Sequence, residues 1–118
     1  MKKIVFYLCC VLFVFLAACT KKTEDLDDSK IYFFYQVSCP HCHDAAEDIK
    51  EKYPDLKMVS KDIKYPGNFN LFQKAVKKYN IGDTAGTPLI CLGDKYIMGW
   101  SDRNKVLFDK YVESYLEK

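Results

Sequence analysis

The stretch that decides the fold spans residues 31–42 and reads IYFFYQVSCPHC. Residues 31–36 are aromatic and β-branched with little polarity, which predicts a strand buried on both faces. Pro40 suits the first turn of a following helix, because the N–H that proline lacks would have no partner there. Cys39 and Cys42 therefore lie at a strand-to-helix junction, where they can close into a small disulfide and reopen. Unpaired N–H groups and the helix dipole would stabilise a Cys39 thiolate, so the pattern favours thiol–disulfide exchange.

Apolar residues that recur at helical spacing predict three helices. The first is stopped by Pro54. The second is capped by Asn68 or Asn70, and the third by Ser101 or Asp102. Their core-facing residues are Ala45, Ala46, Ile49 and Tyr53 in the first, Phe69, Phe72, Ala75, Val76 and Tyr79 in the second, and Leu107, Phe108, Tyr111, Val112 and Tyr115 in the third.

Short apolar runs predict the remaining strands. Residues 56–60 alternate as a short strand, while residues 89–92 and 95–98 flank Gly93-Asp94, a pattern typical of a tight hairpin. The element order is then βαβαββα. A parallel βαβ unit followed by an antiparallel hairpin, with helices on both faces, predicts an α/β three-layer sandwich around a four-stranded mixed sheet.

The first residues of the chain resemble a bacterial lipoprotein signal. A short positive start, Met1-Lys2-Lys3, precedes thirteen apolar residues, 4–16, which are too few to span a bilayer comfortably. The run ends in Leu16-Ala17-Ala18-Cys19, which resembles the lipobox, where the chain is cut before a cysteine that becomes lipidated. An ordinary secretory signal and an N-terminal anchor helix are the alternatives. All three interpretations place the rest of the chain outside the cytoplasm. The lipoprotein interpretation also anchors the chain to the bacterial membrane, in the periplasm or on the outer face.

These features divide the chain into a lipoprotein signal peptide over residues 1–18, a lipidated Cys19 with a flexible tether over 19–29, and a folded domain over 30–118. Removing residues 1–18 takes away two lysines, so 16 basic residues balance 16 acidic ones. No basic block remains, which argues against a nucleic-acid partner. The remaining residues suffice for one compact domain, which we expect to be a monomer without a cofactor.

The cysteine count argues against a scaffold stapled by disulfides. Of six cysteines, two leave with the signal peptide and Cys19 would carry lipid. Cys39, Cys42 and Cys91 remain, and only the first two are close enough in sequence to form a local pair. Cys91 lies within the predicted third strand and is expected to be a small buried hydrophobe.

Together these features resemble the thioredoxin superfamily, at the minimal size of glutaredoxins, over residues 30–118. The resemblance rests on the element order, on Cys39-Pro40-His41-Cys42 at the first strand–helix turn, and on Thr87-Pro88 before the third strand. It implies that Cys39 is the nucleophile, that Cys42 resolves the mixed disulfide, and that the partners are protein thiols and disulfides together with an unidentified redox partner.

The same resemblance implies a binding role for two other segments. Pro88 would be cis and lie against the Cys39–Cys42 disulfide, so that Thr87 offers backbone hydrogen bonds to a substrate strand. Gly99-Trp100-Ser101-Asp102 stands where glutaredoxins carry a Gly-x-x-Asp segment that contacts glutathione. Gly99 and Asp102 are therefore candidate contacts to a thiol ligand.

Pro40 and His41 are candidates for tuning the Cys39 thiol. The Pro-His pair resembles the periplasmic disulfide oxidases, and a partly protonated His41 would stabilise the thiolate and make the disulfide more oxidising. The small size of the domain instead resembles a reductase, so the direction of exchange stays open. Phe33 stands where thioredoxins and periplasmic oxidases carry a buried acid, which leaves Cys42 without an obvious base.

Two interpretations from other classes stay open. Cys39-Pro40-His41-Cys42-His43 matches the c-type haem attachment motif Cys-x-x-Cys-His, with His43 as axial ligand, although it follows a strongly β-like run. The same cysteines and histidines offer soft ligands to copper or zinc, but a fourth ligand is not evident. The favoured interpretation is an exported thiol–disulfide oxidoreductase that binds no metal.

Overall fold

The computed structural model describes residues 24–116, so the predicted signal peptide and the tether up to residue 23 lie outside the described residues. The helices and strands are β1 (Ile31–Tyr35), α1 (Pro40–Lys52), β2 (Met58–Asp62), α2 (Pro66–Lys78), β3 (Leu89–Leu92), β4 (Lys95–Met98) and α3 (Asp102–Leu116), with a short 3₁₀ turn at Gly82–Thr84. Within residues 24–116, no helix combines the length and apolarity that a bilayer crossing needs.

The four strands form one mixed sheet in the order β2-β1-β3-β4. β1 runs parallel to β2 and antiparallel to β3, and β3 and β4 form the antiparallel hairpin. Gly93 has a φ of +65° in the hairpin turn, a conformation that glycine adopts without steric cost. The predicted α/β architecture, its element order and its mixed four-stranded sheet are confirmed.

The alternating side chains of β1 serve two separate cores, as its uninterrupted apolar sequence predicts. Ile31 and Phe33 face α1 and α3, while Tyr32 and Phe34 face α2. All four are at most 3% exposed. This central strand is therefore fixed on both faces, and it delivers the chain to Cys39 at the end of the sheet where α1 begins.

The predicted bounds of β2 and two predicted core positions, one in α1 and one in α2, are wrong by a few residues. β2 covers Met58–Asp62 rather than residues 56–60, because its parallel register pairs Ile31 with Met58 and Tyr35 with Asp62. In α1, Ala46 is exposed and Cys42 joins the buried stripe instead. In α2, Phe69 is 40% exposed and Leu71 takes its place in the core.

The asparagine cap predicted for α2 is also wrong. The helix begins at Pro66 after Tyr65, without a side-chain cap, because a proline at this position already has a helical φ and needs no partner for an N–H. The Asn68 side chain lies within the first turn and donates to the Asp62 carbonyl at 3.0 Å. In α3, the Asn104 N–H donates to Ser101 Oγ at 3.2 Å, so Ser101 is the cap.

Residues 24–28, which we call the acidic segment, lie against α2 and β2. Lys74 Nζ donates to Asp25 at 2.7 Å and to the Glu24 carbonyl at 2.8 Å. Leu26 packs on the core cluster that covers the α2 face of the sheet, and Lys78 pairs with Asp28. The packed chain therefore starts before residue 30, and this part of the predicted tether is held against the domain.

Candidate active site

The cysteine pair lies at the start of α1. Cys39 and Cys42 are paired as a disulfide with their Cα atoms 5.2 Å apart, within the usual range for such a bond. Cys39 is the N-cap residue and has an extended backbone, and the Cys42 N–H donates to Cys39 Sγ at 3.2 Å. The cap that serine or aspartate oxygen usually provides is thus provided by sulfur. In the reduced protein the same N–H would stabilise negative charge on that sulfur.

The two sulfurs differ in access. Cys39 is half-buried, whereas Cys42 is 3% exposed and lies on the core side of α1 with Ala45 and Ile49. A substrate that approaches from solvent therefore meets Cys39 first. Cys42 is placed to react with a partner already attached to Cys39.

Thr87 and Pro88 lie beside Cys39, across 48 residues of sequence. Their peptide bond is cis, as the resemblance implied, and Cys39 Sγ lies 3.7 Å from the Thr87 carbonyl oxygen. Thr87 is half-buried and Pro88 is buried. Because β3 starts immediately after Pro88 and pairs with β1, the sheet itself fixes the backbone of Thr87 against the cysteine pair.

Of Gly99 and Asp102, the two candidate contacts to a thiol ligand, only Gly99 is hydrogen-bonded to a residue of this site. Its N–H donates to the Pro88 carbonyl at 2.9 Å, and its φ of +87° lies in the left-handed region that strains other residues. The Asn104 side chain donates to the Gly99 carbonyl at 3.1 Å. Asp102 begins α3 with a fully exposed carboxylate, 3.9 Å from Lys105, and makes no contact with the cysteine pair.

Trp100, between these two residues, links the helices on one face of the sheet. Its indole N–H donates to Asp48 of α1 at 2.8 Å, and this hydrogen bond is the main reason that the pKa of Asp48 is lowered. The ring packs against Phe108 of α3 with centroids 5.9 Å apart. Trp100 therefore holds α1 against α3 rather than contacting the cysteines.

Pro40 and His41 are both exposed on the first turn of α1. Pro40 occupies the first helical position, as predicted. The position of the buried acid in related folds holds Phe33, which is 3% exposed and packed in the apolar core. At this position the sheet therefore offers an aromatic ring, while the buried carboxylate of Asp62 lies at the end of β2, where Asp62 pairs with Tyr35.

A cleft of about 210 Å³ opens beside Cys42, between α1 and the β1–β2 edge. It is lined by Phe33, Tyr35, Gln36, Cys42, His43, Ala46, Met58 and Ser60. His43 Nε2 lies 2.7 Å from the Val37 carbonyl oxygen, so the loop before Cys39 fixes the imidazole at this cleft. The sequence pointed to His43 only as a haem or metal ligand, because its partner in the structure is a backbone carbonyl that leaves no sequence signal.

Cys91 lies in β3, is 2% exposed and belongs to the core on the α2 face, as predicted for a small hydrophobe. Burial raises the pKa of its thiol to about 12. The group is therefore a neutral thiol at physiological pH, and it is not part of the cysteine pair.

The structure gives little support to the two alternative interpretations, haem attachment and a copper or zinc site. Haem attachment needs two accessible sulfurs, yet Cys42 is buried and bonded to Cys39. It also needs the His43 ring, whose Nε2 is held by Val37. For the copper or zinc hypothesis, residues 24–116 contain no group of three or more His, Cys, Asp or Glu side chains arranged to hold a metal ion.

Comparison with solved structures shows the fold. The glutaredoxin Grx-1 from Archaeoglobus fulgidus superposes with a TM-score of 0.52 at 17% identity, over 68% of this chain and 83% of that one. A buckwheat glutaredoxin in complex with glutathione gives a TM-score of 0.47 at 11% identity, over 74% of this chain and 72% of that one. No family model and no curated protein matches the sequence. The fold is thioredoxin-like.

Proposed function

We propose that this protein is a thiol–disulfide oxidoreductase that exchanges disulfides with protein substrates through Cys39 and Cys42. The observation that carries the proposal is the asymmetry of the pair. Cys39 Sγ is accessible, receives the Cys42 N–H at 3.2 Å and lies 3.7 Å from the Thr87 carbonyl, while Cys42 is buried behind it. A nucleophile with a stabilised anion and a protected second thiol are the two parts that the exchange reaction needs.

In the reducing direction, the Cys39 thiolate attacks one sulfur of a substrate disulfide and the other sulfur leaves as a thiolate. The Cys42 thiolate then attacks Cys39 Sγ, which breaks the mixed disulfide and releases the second substrate thiolate. Two electrons pass from the protein dithiol to the substrate, and the protein ends with the Cys39–Cys42 disulfide. The reverse sequence donates that disulfide to a substrate dithiol, so the reduction potential sets the direction.

The backbone beside Cys39 is the proposed substrate platform. Thr87 is half-buried next to the reactive sulfur, and an extended substrate segment can pair with backbone there without a required sequence. Gly99 lies one hydrogen bond away, through Pro88, and is the proposed contact for a small thiol such as glutathione. The exposed Asp102 would take part only if a ligand reached across from Gly99.

We further propose that the domain is exported and held to the bacterial membrane by lipid on Cys19. The support is the sequence alone: a short positive start, thirteen apolar residues and Leu16-Ala17-Ala18-Cys19. Mass spectrometry of the mature N-terminus should show a chain that begins with a lipidated Cys19. The Cys19→Ala variant should lack the lipid and keep residues 1–18, and a wild-type chain that keeps residues 1–18 would exclude this processing.

The exchange function is tested first by equilibrating the protein in glutathione buffers and counting free thiols by alkylation. A reversible Cys39–Cys42 disulfide is expected. A reduction potential near about −120 mV would identify a disulfide donor and one near about −270 mV a reductase. Failure to form a reversible disulfide would overturn the proposal.

Variants separate the two cysteines. Cys42→Ser should accumulate mixed disulfides with substrate proteins because the resolving thiol is gone, whereas Cys39→Ser should form none. Cys91→Ala is the control, since Cys91 is buried in the opposite core and should leave the exchange rate unchanged. Equal trapping by both active-site variants would contradict the assigned roles.

A further inference from the structure

Resolution of the mixed disulfide requires a group that accepts the Cys42 proton, and this chain does not offer an obvious one. Cys42 must lose its proton before it can attack Cys39, because the thiolate is the nucleophile. Cys42 is 3% exposed, and burial in apolar surroundings disfavours the charged form. Phe33 fills the position beneath it, and none of the described residues that line the adjacent cleft carries a carboxylate. The buried carboxylate of Asp62, at the end of β2, is not among the lining residues and accepts the Lys64 N–H, so the proton needs another acceptor.

The cleft beside Cys42 contains such an acceptor in His43. A carbonyl oxygen only accepts hydrogen bonds, so the contact from His43 Nε2 to Val37 requires the proton to be on Nε2. In the neutral ring, Nδ1 then carries the free lone pair. Nδ1 also lies on the side of the ring attached to the backbone, so it stays near the start of α1 while Nε2 reaches the loop.

We propose that His43 is the proton acceptor for Cys42 in the step that resolves the mixed disulfide. The inference rests on the proposed exchange function. Adjacent residues on a helix do not face each other directly, so the proton travels through water in the cleft that both side chains line. A volume of about 210 Å³ has room for several waters at roughly 30 Å³ each.

The step balances without any added reactant. The Cys42 S–H proton passes through water to His43 Nδ1, the Cys42 thiolate bonds to Cys39 Sγ, and the bond from Cys39 to the substrate sulfur breaks. The electron pair of that bond leaves with the substrate thiolate. His43 is exposed on its outer side, so the imidazolium returns its proton to solvent.

Few other groups around His43 can titrate. Within the cleft these are Tyr35 and Cys42. On its own helix, the exposed His41 lies two residues before it, and the exposed carboxylates of Asp44 and Glu47 are next in sequence and one turn further on. On β2, the buried Asp62 pairs in register with Tyr35. The remaining lining residues are apolar, or are amides and hydroxyls that do not titrate in this range.

The test follows the two steps separately in the full-length protein. The reduced protein is mixed with an aromatic disulfide that transfers thionitrobenzoate to Cys39. Acid quenching and peptide mass spectrometry then count the Cys39 adduct and the Cys39–Cys42 disulfide that replaces it. The key variant is His43→Gln, which keeps a side-chain N–H for the Val37 carbonyl but has no basic nitrogen.

His43→Gln is expected to form the adduct at the wild-type rate and to resolve it on the order of a hundredfold more slowly at neutral pH. Asp44→Asn is the matched control and should resolve at the wild-type rate. Glu47→Gln and Asp62→Asn test the two competing carboxylates. An unchanged rate in His43→Gln, or equal slowing in any of the other three variants, would overturn the role of His43. An adduct that never forms in the wild-type protein would instead overturn the exchange function.

The pH profile of the resolution rate gives a second measurement. With His43 as acceptor, the wild-type rate reaches a plateau below the pH range in which a buried thiol ionises, and the His43→Gln rate, with His41 still present, does not. Without it, the rate rises continuously into the range where a buried thiol ionises. A wild-type profile of the second kind would refute the proposal.

Discussion

The size of the His41 effect can be worked out from its position. If a positive charge on His41 stabilises the Cys39 thiolate, which belongs to the reduced form, removing His41 should lower the reduction potential of the pair. The side chain is exposed on the first turn of α1, where a charge interaction contributes at most about 1 kcal/mol. For a two-electron couple 30 mV corresponds to about 1.4 kcal/mol, so His41→Ala should lower the potential by no more than about 20 mV.

The assay is redox equilibration of wild-type and variant protein in the same series of glutathione buffers, with thiols counted by alkylation. His41→Lys is the matched control, because it keeps a positive charge at this position and should restore the wild-type potential. A fall of more than about 60 mV would mean that the imidazole, and not the Cys42 N–H that contacts Cys39 Sγ, dominates thiolate stability. A lysine variant as reducing as the alanine variant would show that charge is not the cause.

Three further predictions concern the rest of the domain. Hydrogen bonds from Lys52 and Tyr53 lower the pKa of Asp109. The stability that these bonds add is therefore present above the pKa of Asp109 in the unfolded chain, and it is lost as pH falls through the pKa of Asp109 in the folded protein. Asp109→Asn should flatten the acid side of a plot of urea midpoint against pH, and an unaltered slope would contradict this. Because burial raises the pKa of Cys91 to about 12, maleimide should label Cys91 only after unfolding, and labelling of the native protein would be the contrary result. Lys74→Glu reverses the charge that faces the acidic segment and should speed its amide hydrogen exchange while the cysteine pair keeps its potential, whereas unchanged exchange would mean that Lys74 does not hold the segment.

The fold was predictable because its main signals are local. The apolar run of β1 supplies both cores, and Gly93 in the hairpin turn needs no distant partner to specify its geometry. The start of β2 was misplaced because its position depends on parallel pairing with β1, which short-range alternation does not report. The same holds for α2, where a proline start replaces the side-chain cap that the asparagines suggested.

The candidate site was predictable only in part for a related reason. The cysteines and Thr87-Pro88 can be recognised in the sequence by residue type, and the sheet brings them together. The contact of His43 depends on the carbonyl of Val37, and the packing of the acidic segment depends on lysines about fifty residues away. Backbone acceptors and distant ion pairs leave no pattern in a single sequence.

The two histidines of this site should act on different quantities, and this difference follows from where each charge resides. A charge on His41 would act on the Cys39 thiolate, a species present in the reduced state at equilibrium, so its removal should change the reduction potential. His43 holds the Cys42 proton only during resolution and returns it to solvent, so it appears in neither the dithiol nor the disulfide end state. His43→Gln should therefore leave the potential within the error of the glutathione titration while it slows resolution. A shift in potential as large as that of His41→Ala would show that His43 stabilises an end state and is not a transient proton acceptor.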